Sequence, residues 1–190
     1  MKFTRLSGVL AVLVVVFLSN TVFAATQNVE DSLTRLSAQV SAQNITLSDD
    51  AKAKVVSSCT TTQSALKNIR QKEQRIQRER TDTYLDVQNE IDALQLRLKR
   101  QGIEVSGANT VLMNYRELTD QYDRLSKIYT EALYDVTSID CQANPEVFSA
   151  GVTLIRQKRS ELLANTNSIQ YFVQNDVQNQ FNAIKRQLKV

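Results

Sequence analysis

The sequence predicts an all-α fold: an elongated antiparallel bundle of three long helices in up-down-up order, with coiled-coil packing and a short N-terminal amphipathic helix. The 190-residue chain contains one proline and four glycines, so few residues interrupt a helix. Apolar residues recur at intervals of three and four, and no stretch alternates with a period of two. Both patterns favour helices over strands.

The first residues have the pattern of an export signal. Lys2 and Arg5 precede an apolar run at 9–18, and a small-x-small pattern ends at Ala24. A membrane span needs about 20 apolar residues, and the run at 9–18 is much shorter. Cleavage near Ala24 is therefore favoured, with an uncleaved anchor as the alternative. The protein is therefore expected to be exported, as a secreted, periplasmic or cell-surface protein.

Three regions follow from this reading of the sequence. A signal peptide is expected at 1–24, a short helix with a linker at 25–47, and the helical coiled-coil bundle at 48–190. The short amphipathic helix is predicted from apolar residues at helical spacing: Val29, Leu33, Leu36 and Val40.

The first long helix has clear signals at both ends. Ser48 is a suitable N-cap, the helical pattern covers 51–101, and Gly102 is placed to stop it. Between residues 70 and 83 its only apolar residue is Ile76. That stretch is expected to contribute little to a core.

The second long helix has the most regular pattern. Its apolar residues form the seam of a coiled coil over four heptads: Val111, Tyr115, Leu118, Tyr122, Leu125, Tyr129, Ala132, Val136 and Ile139. The three tyrosine rings are expected to pack against neighbouring helices while their hydroxyls reach solvent or polar groups, with a ligand site as the alternative.

A third helix is predicted to start at Pro145, after the N-cap residue Asn144. One apolar stripe continues from there to Leu188, which predicts a single helix. The short connections at 102–106 and 140–143 make neighbouring helices antiparallel.

Cys59 and Cys141 are the only cysteines. Exported thiols meet an oxidising environment, so one disulfide between them is expected to close the open end of a helical hairpin. The two arms of the hairpin, 42 and 35 residues long, differ by 7 residues. If both arms were helical throughout, that difference would separate the two cysteines by about 10 Å along the hairpin, which is too far for a disulfide. Ending the second helix near Ser138 would absorb much of it.

The composition argues against an enzyme. The chain has no histidine, so no imidazole ligand or Ser-His pair exists. A zinc site would need the same two cysteines that are expected to pair. Acidic residues alternate with basic residues at helical spacing, which is typical of a solvated face. We therefore expect no catalytic residue, no metal and no cofactor.

Charge differs between the predicted helices. The net charge is +5 for residues 51–101, −3 for 107–140 and +3 for 145–190. A basic cluster lies in the apolar-poor part of the first long helix: Lys67, Arg70, Lys72, Arg75, Arg78 and Arg80. It is either a solvated face or a site for a polyanion, such as an anionic wall polymer, lipid headgroups or extracellular DNA.

Several residues of the chain carry a resemblance to a known family. They are Cys59, Gly102, Ile103, Ser106, Tyr129, Asp140, Cys141, Pro145, Phe148, Arg156, Arg159 and Tyr171. Their order resembles an uncharacterised family of short exported coiled-coil proteins from small-genome bacteria of the candidate-phyla type. The resemblance implies a signal peptide, a helical body and a cysteine pair, and it implies no catalytic residues.

The function expected from the sequence is that of a non-enzymatic exported helical interaction or structural protein at the cell surface. A protein partner is expected but the sequence does not identify it. The alternatives are a holdase-type chaperone or adaptor for exported proteins, and a polyanion-binding surface protein. The expected state is a monomer or a weak homodimer.

Overall fold

A computed structural model describes residues 31–38, 46–103 and 107–187 of the chain. Regular structure in these ranges is entirely helical, with no strand. The elements are α1 (31–38), α2 (Asp49–Arg100), α3 (Ala108–Ser138), α4 (Pro145–Phe172), a π-helical segment (Val173–Val177) and α5 (Gln178–Gln187). The predicted all-α class is confirmed.

Some of the predicted features fall outside the described residues. These are the signal peptide at 1–24 with its cleavage site at Ala24, Val29 and Val40 of the N-terminal helix, Ser106 and Leu188. The middle of the predicted N-terminal helix is described, and it is helical as expected. Leu36 is buried there, and Leu33 is partly buried.

Both ends of α2 have the capping residues that the sequence predicts. The Ser48 hydroxyl accepts a hydrogen bond from the Ala51 N–H, at 3.3 Å, which satisfies a free donor of the first turn. At the other end Gly102 has a φ of 71°. The Ile103 N–H then reaches back to the Leu98 carbonyl, at 3.0 Å, in a Schellman motif.

The C-terminal helical region differs from the prediction of one continuous helix. It is interrupted by the π-helical segment Val173–Val177. Ile169, Val177 and Ile184 are all buried, and their spacings are 8 and then 7 residues. The wider π turn accommodates one extra residue, and Val177 at the end of the segment is buried.

The chain divides into two compact units. The first comprises the described parts of Met1–Gln63 together with Asp135–Gly151. The second comprises Ser64–Tyr134 and the described part of Val152–Val190.

In the first unit, α1 packs against the end of α3 and the start of α4. The Arg35 guanidinium donates to both carboxylate oxygens of Asp135, at 3.2 and 2.6 Å. Leu36 is fully buried beside this ion pair. A Cβ placed on Gly151 would lie 2.5 Å from Val136 Cγ2 and 3.6 Å from Leu36. Gly151 is therefore required for the close approach of these helices.

The two cysteines also lie in the first unit, at disulfide distance, as the sequence predicts. The Cα atoms of Cys59 and Cys141 are 5.8 Å apart, and both residues are buried. α3 ends at Ser138, where the hairpin argument placed its end. After it, the Asp140 carboxylate accepts a hydrogen bond from the Gln142 N–H, at 3.0 Å, and stabilises the turn into α4.

The second unit has an apolar cluster around Ile91, Leu112 and Val177. Five partly buried side chains pack against this cluster: Val87, Val111, Phe172, Val173 and Phe181. No residue of α2 from 67 to 90 is fully buried, in agreement with its apolar-poor sequence. The packing of this part of α2 therefore depends on side chains from the other helices.

We expect Gly151→Ala to lower the free energy of unfolding by about 1–3 kcal/mol, because the added methyl would overlap the stiff, buried Val136. The sign of the change in unfolding free energy is informative, because Gly→Ala inside a helix otherwise stabilises a protein by about 0.5–1 kcal/mol. Urea unfolding of the two proteins measures the difference. A stabilised Gly151→Ala variant would show that α3 and α4 are not in close contact at this point.

Candidate functional site

The most distinctive feature of the second unit is a row of buried tyrosines on α3. Tyr115, Tyr122 and Tyr129 are seven residues apart, so they share one helix face. Each side chain is only 1% exposed. The sequence predicts an apolar seam on this helix. The low exposure of the three tyrosines confirms that their rings are packed inside the unit.

Partners from α2 and α4 hold the tyrosine rings in place. The rings of Tyr84 and Tyr122 meet edge to face, with centroids 5.1 Å apart. Tyr115 is stacked on Phe172, with centroids 6.5 Å apart. The Arg80 side chain is within hydrogen-bonding reach of the Tyr122 hydroxyl. The buried rings agree with the expectation that the tyrosines pack against neighbouring helices, and the Tyr122 hydroxyl meets a polar group as expected.

The interior raises the pKa of four tyrosines. Burial is the main cause for Tyr84, Tyr122 and Tyr129, and it raises the pKa of Tyr115 to about 12. The Arg80 charge opposes the rise in pKa at Tyr84 and Tyr122, because a cation favours the phenolate. The phenols therefore remain neutral at physiological pH.

The predicted basic cluster divides into two groups. The Arg70 guanidinium lies 5.2 Å from the centre of the Tyr134 ring, in a cation–π contact. Arg80 interacts with Tyr122, as described above. These two arginines are partly buried and belong to the packing of the unit.

The other four residues of the cluster are exposed: Lys67, Lys72, Arg75 and Arg78. At helical spacing Lys67, Arg75 and Arg78 share one face of α2, while Lys72 lies to the side. Arg75 is 3.9 Å from Glu79 in an exposed ion pair one turn away. We call these four residues the basic face.

Polar contacts join the helices where apolar contacts are few. Thr81 donates a hydrogen bond to the Asp123 carboxylate, at 3.0 Å. Further along, the Arg116 guanidinium pairs with Asp92 at 2.7 Å. The sequence carries no local pattern that predicts these pairs, because the partners are 42 and 24 residues apart.

α4 contributes a buried amide. Asn165 is 5% exposed, and its Nδ2 donates to the Leu118 carbonyl, at 3.2 Å, and to Gln121 Oε1, at 3.3 Å. Its Oδ1 atom has no hydrogen-bond partner in the described part of the chain. A buried oxygen without a hydrogen-bond partner costs about 1–3 kcal/mol of stability.

The described part of the second unit includes two large clefts. The first has a volume of about 330 Å³ and is lined by residues of α2, α3, α4 and the π-helical segment, including Tyr84, Tyr115, Thr166, Gln170 and Gln174. We call it the tyrosine cleft. The second, of about 530 Å³, lies between α2 and α3 and is lined by charged residues, which are Arg78, Asp82, Asp123 and Lys127. We call it the charged groove.

Metal and membrane sites were also considered for the described ranges. No three His, Cys, Asp or Glu side chains within them are placed to hold a metal ion. No helix within them is long and apolar enough to cross a membrane.

The chain was also compared with known proteins. No protein-family model, curated protein or solved structure matches it.

We expect the unfolding free energy to fall as the pH rises from about 10 to about 12. The folded pKa of Tyr115 is above its unfolded value, so the folded state holds that proton more tightly in this window. The resulting stability is fully present below about pH 10 and is lost through about pH 12. Tyr115→Phe should therefore lose about 2 kcal/mol less unfolding free energy than the wild type when the pH is raised.

Urea unfolding at about pH 8 and about pH 11.5 measures this effect, because the first value lies below the window and the second lies near its upper end. Tyr171→Phe is the matched control, since this ring is 67% exposed and is expected to follow the wild-type curve. Equal alkaline loss in the Tyr115→Phe variant and the wild type would contradict the prediction.

Proposed function

We propose that this chain is a non-enzymatic, exported helical interaction or structural protein at the cell surface. The observation that carries the proposal is the buried cysteine pair at disulfide distance in an all-helical chain. Structural disulfides persist in oxidising compartments, and the export pattern at 1–24 is consistent with such a compartment. The family resemblance described above agrees with this proposal and adds no activity.

The proposed architecture is an up-down-up bundle with coiled-coil packing. Contacts within the second unit support antiparallel α2 and α3. Asp92 pairs with Arg116, Thr81 with Asp123 and Arg70 with Tyr134. The residue number therefore rises along α3 as it falls along α2. The buried heptad row on α3 supports a coiled-coil seam.

A protein partner is supported by large apolar side chains on the surface. Leu85, Leu96, Met113 and Tyr171 are each more than half exposed. Exposed side chains of this size supply contact area when a partner covers them. We propose a monomer or weak homodimer that engages another protein.

Export and pairing can be tested together in cells that express the full chain. The mature protein should begin near Ala25 by mass spectrometry and should take up thiol reagent only after reduction. Crosslinking on living cells should then capture a surface protein partner. An uncleaved protein with two thiols that react without reduction would contradict the proposal.

The holdase alternative has a separate test. A holdase should suppress the aggregation of an unfolded exported protein at a stoichiometric ratio, as measured by light scattering. A structural protein should not suppress it. Suppression by the purified chain would replace the leading proposal with the holdase proposal.

The second candidate function is polyanion binding, and the basic face supports it. Its four side chains are exposed, and Arg75 lies 3.9 Å from Glu79 in an exposed ion pair that leaves its charge accessible. A duplex phosphate backbone or an anionic lipid surface is the partner that such a face fits. Arg70 and Arg80 are left out of this site because they contact tyrosines.

We expect glutamine at all four positions of the basic face to abolish binding to duplex DNA and to anionic vesicles. Each phosphate contact that the wild type makes should add about −0.9 to the slope of log affinity against log salt. Helicity should stay unchanged, because glutamine is a comparable helix former.

The matched control replaces four other exposed basic residues of α2 with glutamine: Lys54, Arg97, Lys99 and Arg100. Fluorescence anisotropy with labelled DNA and vesicle sedimentation provide the two readouts. If the wild type does not bind at low salt, the basic face is only a solvated surface and the polyanion proposal is contradicted. Equal loss in the control would show only a dependence on net charge.

A further inference from the structure

We propose that the tyrosine cleft binds an uncharged small molecule that has an apolar ring system and at least one hydrogen-bonding group. This binding site is independent of the surface function proposed above. The proposal depends on the size of the cleft, the uncharged character of its lining, and the arrangement of aromatic and amide groups within it.

The size of the cleft suits a small molecule. Its volume of about 330 Å³ lies at the lower end of the range of about 300–1,000 Å³ for ligand sites.

The lining determines the charge of the ligand. Every side chain around the tyrosine cleft is a threonine, tyrosine, valine, isoleucine or glutamine, so none carries a charge at neutral pH. A charged ligand would lose hydration there without a counter-ion, which costs several kcal/mol. The charged groove differs, because cations and carboxylates line it. Charge complementarity thus assigns a neutral ligand to the tyrosine cleft.

The polar groups of the cleft are at its rim. Gln170 and Gln174 are exposed and lie one turn apart on α4 and the π-helical segment. Each amide offers a donor and an acceptor, and neither has a hydrogen-bond partner in the described part of the chain. A carbonyl or hydroxyl of the ligand can pair with them.

The aromatic groups of the cleft are deeper and already held in position. Tyr115 is 1% exposed and is stacked on Phe172, while Tyr84 is packed against Tyr122. Tyr84 is only partly buried, so its ring can contact a ligand without losing side-chain freedom on binding. Tyr115 and Phe172 lie beneath it and support the packing around the cleft.

The π-helical segment borders the same cleft. Its first residue, Val173, and the adjacent Gln174 both line the cleft. π-helical turns are rare and often occur at functional sites, because the extra residue redirects neighbouring side chains. Here the segment directs Val177 to the apolar cluster while Gln174 remains at the rim.

The test uses N-phenyl-1-naphthylamine, an uncharged ring probe whose fluorescence rises in apolar sites. We expect saturable binding at one site on the full mature chain. Gln170→Trp should block the rim and Thr166→Phe should fill the cleft, each weakening binding about tenfold or more. The anionic analogue 1-anilinonaphthalene-8-sulfonate should compete for this site at least about tenfold more weakly.

The matched control is Gln74→Trp, which places the same ring at an exposed glutamine of the charged groove. It should change the affinity by less than about twofold. Circular dichroism melts accompany each variant, and Gln170→Trp decides alone if Thr166→Phe does not fold, because Gln170 is exposed.

Three results would overturn the proposal. The first is the absence of saturable binding. The second is equal weakening by Gln74→Trp and Gln170→Trp, or equal competition by the anionic analogue. The third is a wild-type dimer by light scattering that Gln170→Trp converts to a monomer, since a second copy of the chain would then occupy the cleft.

Discussion

α2 has almost no apolar residues in its middle section, and the packing of the second unit depends on how the other helices compensate. Residues 67–90 of α2 contribute no fully buried side chain. α3 supplies large rings in their place, at Tyr115, Tyr122 and Tyr129. Each ring has a large apolar area and a polar end, so it can be buried next to a helix that offers mainly polar groups.

This compensation explains the other features of the second unit. Two of the six residues in the basic cluster, Arg70 and Arg80, interact with tyrosines instead of solvent. Hydrogen bonds such as that from Thr81 to Asp123 replace apolar contacts. Both clefts are lined in part by residues of this section. The basic face thus lies where α2 has the fewest apolar residues.

Local signals predicted much of the fold. The Ser48 cap and the Gly102 stop depend on a few adjacent residues, and both are confirmed. The heptad seam predicted the tyrosine row for the same reason. The π-helical segment is not predicted, because a spacing of eight residues between apolar positions also occurs on the face of a regular α-helix. The requirement for glycine at 151 arises from contact with Val136, a residue distant in sequence.

The candidate site was less predictable than the fold. The composition identified the basic cluster, but it could not separate Arg70 from Arg75, because side-chain direction relative to α3 decides which arginine is exposed. The tyrosine cleft is formed by residues of three helices and the π-helical segment, so no short sequence motif predicts it. Cys59 and Cys141 were paired correctly at disulfide distance because the chain offers no other cysteine.

Native-state hydrogen exchange, compared between the wild type and Tyr122→Ala, tests the central claim most directly. If the tyrosine row supports the middle of α2, removing the Tyr122 ring should lower the opening free energy of amides at 70–83 by more than about 1 kcal/mol. Amides near Leu98, at the end of α2, should change less. Equal protection at 70–83 in the two proteins would contradict the claim, because α2 would then be held without the ring.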